Sequence, residues 1–258
     1  MKLLPTLLVS LFLGSATATF AADAPKPLKC LLVTGGCCHD YTKQKDILKA
    51  GLEKRLNIVV EQLHTDDKTT KARFANYEKA DWAAGYDIVI HDECSADIKE
   101  LPYVENIVNA HKNGVASVNL HCAMHSYRTG TPLWFEYLGL QSSAHGAQLP
   151  IEITFSNPEH AITKGLANWT TVKEELYNNI KIWPETVALA KGKQGETETV
   201  VVWTHEYGKG RVFCTTLGHN NETVSDDRYL DLVARGVLWA VDKLDADGKP
   251  KAGYAAAK

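Results

Sequence analysis

Imidazoles and carboxylates in this chain gather where apolar, strand-like runs stop. His39-Asp40 follows the run 28–34 and Gly35-Gly36, Asp92-Glu93 follows 86–91, His121 follows 115–120, and His219 follows 210–217 and Gly218. Such groups move protons to and from substrate atoms, or hold a divalent cation. His125 stands four residues after His121. If a helix starts there, the two rings share a face and one ion; one ring packed and the other exposed fits the sequence equally well. His145 lies in Ser142-Ser143-Ala144-His145-Gly146, where a polar ring has no core to fill, and Glu174-Glu175-Leu176-Tyr177 supplies a second pair of carboxylates. The acid–base candidates are therefore His121, Glu175 and Asp92. His121, His145 and His219 are the metal candidates, a nitrogen set that suits a zinc-like divalent ion. His39, Trp134, Tyr177 and Asn220 are the candidates for binding substrate. His64, His91, His111, His160 and His205 read as structural.

Two further residue types bear on the chemistry. Trp134, Trp169 and Trp203 lie near these loops, where an aromatic face beside polar groups would suit a sugar ring; ordinary core filling is the other reading. Cys122, directly after His121, invites comparison with a nucleophile on a tight turn whose helix N-terminus lowers the thiol pKa. The glycines that flank such a turn are missing, since Leu120 and Met124 occupy those places. Cys122 therefore reads better as a small core residue, as do Cys30 and Cys214 in their apolar runs. Cys37-Cys38 are adjacent and could pair only in a strained ring, and no C-x-x-C occurs to suggest a zinc ribbon.

The elements that must position these groups alternate. Runs 28–34, 58–64, 86–91 and 115–120 read as buried strands, and 41–56, 71–82 and 101–112 as helices between them, with Asp40 as N-cap of the first. That pattern calls for a parallel sheet covered by helices on both faces, with ligands bound beyond the carboxyl ends of the strands. Runs 149–155, 186–191, 198–204 and 210–217 read as antiparallel additions plus one last central strand, and 227–241 as a closing helix. No Pro/Gly/Ser-rich linker interrupts the chain, so one α/β domain is expected over 23–245. The Lys/Ala/Gly-rich stretch 246–258 reads as a flexible tail.

With 258 residues, 45% hydrophobic and 23% charged, the chain can build a substantial core, and its net charge of −3 excludes a polybasic nucleic-acid binder. Lys2, the apolar run 3–14 and the small residues near Ala21-Ala22 read as a signal peptide over 1–22, too short for a comfortable membrane span. A periplasmic or secreted protein without a membrane span after processing is expected, in a compartment that permits disulfides.

Several stretches together resemble the ThuA-like (trehalose utilisation) family, which has a class I glutamine amidotransferase-like fold. WTHEYGKGRVFCTTLGHNNET at 203–223, followed by Arg235-Gly236-Val237-Leu238-Trp239-Ala240, is the strongest; LLVTGGCCHDY at 31–41, YDIVIHDE at 86–93, GVASVNLHCAMHSY at 114–127, WFEYLGLQSSAHG at 134–146 and the stretch from Asn157 through Glu174-Glu175-Leu176-Tyr177 follow in order. The resemblance implies a three-layer flavodoxin-like α/β sandwich, with His121 standing where glutamine amidotransferases carry a nucleophilic cysteine. It also implies a role in carbohydrate metabolism, on a sugar or keto-sugar, and a bound divalent metal. Cys37-Cys38 before His39, and Arg128-Thr129-Gly130, depart from the family pattern. The resulting expectation is metal-assisted acid–base chemistry on a small carbohydrate, with a homo-oligomer compatible with it. The alternatives are a non-catalytic carbohydrate-binding protein and a cysteine hydrolase acting through Cys122.

Overall fold

The computed structural model describes residues 25–256, so the expected signal peptide over 1–22 lies outside the described residues. Four apolar runs become the parallel strands β1 (Leu28–Gly36), β2 (Ile58–His64), β3 (Ile88–Cys94) and β4 (Ala116–Leu120), joined by α1 (Tyr41–Glu53) and α2 (Leu101–Lys112). β3 and β4 are buried along their whole length, and β3 opens with the unalternating apolar run Ile88-Val89-Ile90. The expected helix over 71–82 is reduced to a single 3₁₀ turn, Ala75–Glu78. Its apolar residues Phe74, Tyr77 and Trp82 are buried all the same, packed against α2 without helical periodicity.

Most of the second half is antiparallel. After a 3₁₀ turn at His121–His125 come α3 (Leu133–Leu138), the short β5 (Leu140–Gln141), β6 (His145–Phe155), β7 (Trp169–Tyr177), the short β8 (Lys181–Ile182), β9 (Val187–Gln194), β10 (Thr197–Tyr207) and β11 (Gly210–Thr215). The chain closes with α4 (Asn221–Val224) and α5 (Asp227–Ala240), whose N-cap Asp226 accepts a hydrogen bond from the Arg228 amide at 2.8 Å. One nine-stranded sheet results, in the order β2-β1-β3-β4-β11-β10-β9-β6-β7, parallel from β2 to β11 and antiparallel beyond. β5 and β8 form a separate pair.

Two apolar layers fix the sandwich. Leu48 and Leu52 of α1 and Leu230, Val233 and Val237 of α5 cover one face, and Val104 and Ile107 of α2 with Trp134 and Tyr137 of α3 cover the other. At Gly51 the two helices of the first face touch, for a Cβ there would meet the Leu230 side chain at 2.6 Å. The result is the mixed α/β flavodoxin-like sandwich that the resemblance implied.

Residues 246–256, expected as a flexible tail, make backbone contacts with the segment after α1. The amide of Asn57 donates to Tyr254 O at 3.0 Å, the amide of Ala256 donates to Arg55 O at 3.1 Å, and Leu56 and Ala255 form a β-bridge. The open backbone edge after α1 pairs the segment, and apolar content was not needed for that. Among the described residues, no helix is long and apolar enough to cross a membrane.

A histidine cluster around Glu175

His121 begins where β4 ends, and its φ of +43° is unusual for a residue with a side chain. That turn aims the ring across the strand ends. Its Nδ1–H donates to Thr216 O at 2.7 Å, which fixes the tautomer and leaves the Nε2 lone pair toward Tyr177 and Glu175. The Tyr177 hydroxyl lies 3.3 Å from that nitrogen.

His39 and His219 come from the loops after β1 and β11. Their ring centroids lie 4.9 Å apart, and 4.5 and 5.4 Å from that of His121. One nitrogen from each of the three rings falls within 4.8 Å of the others. Nδ1 of His39 and Nδ1 of His219 are both buried without a hydrogen-bond partner. Burial, followed by the neighbouring imidazoles of His121 and His219, pulls the pKa of His39 down to about 2. His219 moves the other way, raised by Glu175 against the pull of burial.

Glu175 of β7 is the carboxylate of the cluster. Its Oε1 is 3.3 Å from His219 Nδ1, outside hydrogen-bonding direction, and its Oε2 is 3.5 Å from His121 Nε2 and 3.6 Å from His145 Nε2. Burial alone would raise its pKa, yet the imidazoles of His121 and His219 hold it far below the usual carboxylate range. Gln148 donates to Oε1 at 3.1 Å.

The neighbouring carboxylate has a different task. Glu174 is fully buried and accepts from the amides of Gly218 (3.3 Å), His219 (3.0 Å) and Asn220 (3.2 Å). From the other side, Gln44 Nε2 of α1 donates to the carbonyls of Gly218 and His219 at 3.2 and 3.1 Å. The loop that carries His219 is thus held by two side chains distant in sequence. Gly218, at φ +119°, is required there, since a Cβ would lie 2.8 Å from the Tyr229 hydroxyl.

Two cavities open on the cluster and share Cys38, His39 and His219. One, of about 460 Å³, includes Gly35, Gly36, His64, Asp66 and Asn220 in its lining; the other, of about 420 Å³, includes Cys38, His125, Arg128, His145, Glu175 and Tyr177. Both are large enough for a small polar ligand.

Residues 29–240 match the family described as ThuA, trehalose utilisation. The chain belongs to the ThuA family. Membership ties it to carbohydrate utilisation. Its fold is similar to a ThuA-like protein from Parabacteroides merdae (19% identity, TM-score 0.67, covering 88% of this chain and 98% of that one) and to another from Bacteroides uniformis (17%, 0.65, 91% and 99%). A cytoplasmic protein from Salmonella typhimurium LT2 shares it at 14% identity and TM-score 0.58, over 84% of this chain and 100% of that one. No curated protein matches.

Within this ThuA-family site the sequence candidates separate. His39, His121, His219, Glu175 and Tyr177 converge, and Asn220 joins them at the rim, its side-chain amide bonded to Lys173 O. His145 reaches Glu175 but is not one of the three rings, His39, His121 and His219, whose nitrogens come together. His125 does not share a face with His121. The turn is 3₁₀, with three residues to the turn, and places a residue four on well away from the first. His125 stacks on Tyr177 at 4.1 Å and pairs with Ser142 Oγ at 2.8 Å.

Asp92 and Trp134 lie off the site. Asp92 is buried and lines neither cavity; burial, then the charge of Glu93, pushes its carboxyl pKa well up. Strand alternation turned it toward the α1 side beneath the site. Trp134 is fully buried under the turn, where its Nε1–H donates to Ala123 O at 2.8 Å, so it fills core. Cys122 is paired with Cys94, not free as a nucleophile, and Cys37 is paired with Cys38. His91 and His111 are structural as read, joined at 3.0 Å within a buried set that includes Glu93.

Sequence reasoning missed Gln44 and Glu174. Gln44 carries a usable signal, being a polar residue on the buried α1 face four positions before Leu48. Nothing in the sequence distinguishes Glu174 from Glu175.

Proposed function

We propose that the protein is an exported enzyme that moves a proton on a sugar or keto-sugar, with Glu175 as base and a divalent ion held by His39, His121 and His219. The observation that carries this reading is the convergence of His121, His145 and His219 on one carboxylate at 3.3–3.6 Å, beside His39.

The residues fit an ion. Three imidazole nitrogens lie within 4.8 Å of one another, two rings have an Nδ1 without a partner, and the third has its tautomer set by a carbonyl behind it. A bound divalent ion would supply Lewis-acid polarisation of a substrate oxygen next to the reacting carbon. The chain does the remainder. Glu175 Oε2, 3.5 Å from His121 Nε2 and 3.6 Å from His145 Nε2, accepts the proton from carbon. His145, half out in solvent with 42% of its side chain exposed, passes the proton between Glu175 and water or the substrate. The Tyr177 hydroxyl donates to a substrate oxygen near His121. Arg128, Asn220 and the loop glycines line the polar walls that hold hydroxyl groups.

Export is supported by the opening segment Met1–Ala22 and by two cysteine pairs, which suit an oxidising compartment.

The test is solvent exchange. The protein, supplied with zinc or manganese, is incubated in heavy water with a panel of keto-hexoses and their glycosides, and deuterium next to the carbonyl is followed by NMR. Incorporation with at least one member, reduced by about 100-fold or more in Glu175→Gln, is the expected result. Sugar-dependent thermal stabilisation with no exchange across the panel would instead establish a binding protein.

A further inference from the structure

Four of the six cysteines meet at the wall of the cavity that holds Glu175. Cys37 and Cys38 come from the loop after β1, Cys94 ends β3, and Cys122 follows His121. Cys37 pairs with Cys38 and Cys94 with Cys122, while Cys30 and Cys214 stay buried and free. The two pairs are not independent: Cys37 Sγ lies 3.4 Å from Cys94 Sγ, in sulfur–sulfur contact.

Access is graded across the group. Cys38 is exposed, Cys37 half-buried, and Cys94 and Cys122 are buried. The order follows from the backbone. Gly36, at φ +96°, lies so close to β3 that a Cβ would meet Cys94 O at 2.1 Å, and this close approach seats Cys37 on Cys94. Cys38, at φ +85°, is turned outward.

We propose that Cys37, Cys38, Cys94 and Cys122 form a thiol–disulfide exchange site that takes electrons from a thiol compound at Cys38 and delivers a free Cys122 sulfur beside His121. The chemistry is an exchange through mixed disulfides. A thiol, RSH, attacks Cys38; the R–S–S–Cys38 bond forms, the Cys37–Cys38 bond breaks, the thiol loses its proton and Cys37 gains one. Cys37 then attacks Cys94; the Cys37–Cys94 bond forms, the Cys94–Cys122 bond breaks, Cys37 gives up its proton and Cys122 takes one up. A second RSH displaces R–S from Cys38, forming RSSR and leaving Cys38 as a thiol. Two thiols are oxidised to one disulfide, and one of the protein's two disulfides is reduced, leaving Cys38 and Cys122 as thiols. The exposed sulfur is the entry, because attack there expels the one sulfur that already touches the inner pair. The proposal stands on the sulfur positions alone and is independent of any sugar substrate.

The experiment maps disulfides in the full chain by acid quench, alkylation with iodoacetamide and peptide mass spectrometry without reduction. In Cys38→Ser the sulfur of Cys37 is free from the start, so linked Cys37–Cys94 and alkylated Cys122 should exceed linked Cys94–Cys122 by about tenfold or more. Wild-type protein given limiting glutathione should show glutathione on Cys38 and the same Cys37–Cys94 link. In Cys37→Ser, glutathione should leave Cys94–Cys122 intact. An intact Cys94–Cys122 pair with alkylated Cys37 in Cys38→Ser, or release of Cys122 as fast in Cys37→Ser as in the wild type, overturns the relay.

Discussion

Glu175 Oε2 lies 3.5 Å from His121 Nε2, although β4 and β7, the strands that deliver them, have β11, β10, β9 and β6 between them in the sheet. The sheet curls to bring them together. Register shifts between His145 and Gln148 and between Pro150 and Glu152 bend β6 against β7, and β7 comes back into contact with β10. The antiparallel half therefore roofs the ends of the parallel strands, and the site lies between a Rossmann-like rim and that roof.

Glu174 should matter to stability more than its position beside the site suggests. Glu174→Gln weakens a buried carboxylate cradle for three amides, and a loss of about 1–3 kcal/mol is expected. Urea unfolding measures it. Glu175→Gln, which leaves the cradle intact, should lose less; equal losses would mean that the 218–220 loop is held by other contacts.

His145 should be separable from the metal set. His145→Ala is expected to keep its affinity for zinc, while proton exchange at a substrate carbon falls by about 100-fold and its pH profile changes shape. Loss of zinc binding in this variant, read by isothermal titration, would return His145 to the ligands.

Asp92 gives a pH test. Its pKa is raised in the folded chain by burial and then by Glu93, so its contribution to stability is fully present below the unfolded carboxyl value and is lost as pH rises through the folded one. Asp92→Asn should therefore gain stability relative to wild type at pH 8 and little at pH 4, with exchange activity retained. Guanidinium unfolding at both pH values checks the sign, and a larger gain at pH 4 would show that the carboxyl is ionised in its pocket.

The parallel half of this fold was legible because β1 and β3 open on continuous apolar runs, which burial on both faces imposes, and polar groups follow where the strands stop. His39, His121 and His219 could be placed on one rim for that reason. The roof was not legible. β7 carries Lys173, Glu174 and Glu175 in a row, which marks no strand, and the register shifts that bend β6 leave no mark in residue type. That is why Glu174 could not be told from Glu175. His145 was assigned to the ion for the same reason, since its reach depends on how β6 bends. Asp92 was misplaced by strand alternation, since an apolar run continuous enough to mark a buried strand does not say which face its last residues take.

The direct measurement is metal content. The purified full chain, stripped with a chelator, reloaded with zinc and dialysed, should hold about one equivalent by elemental analysis, and His39→Ala, His121→Ala and His219→Ala should each fall well below it while folding normally by circular dichroism. Less than about 0.2 equivalents of zinc, manganese or any other divalent ion in the reloaded wild type would contradict the account.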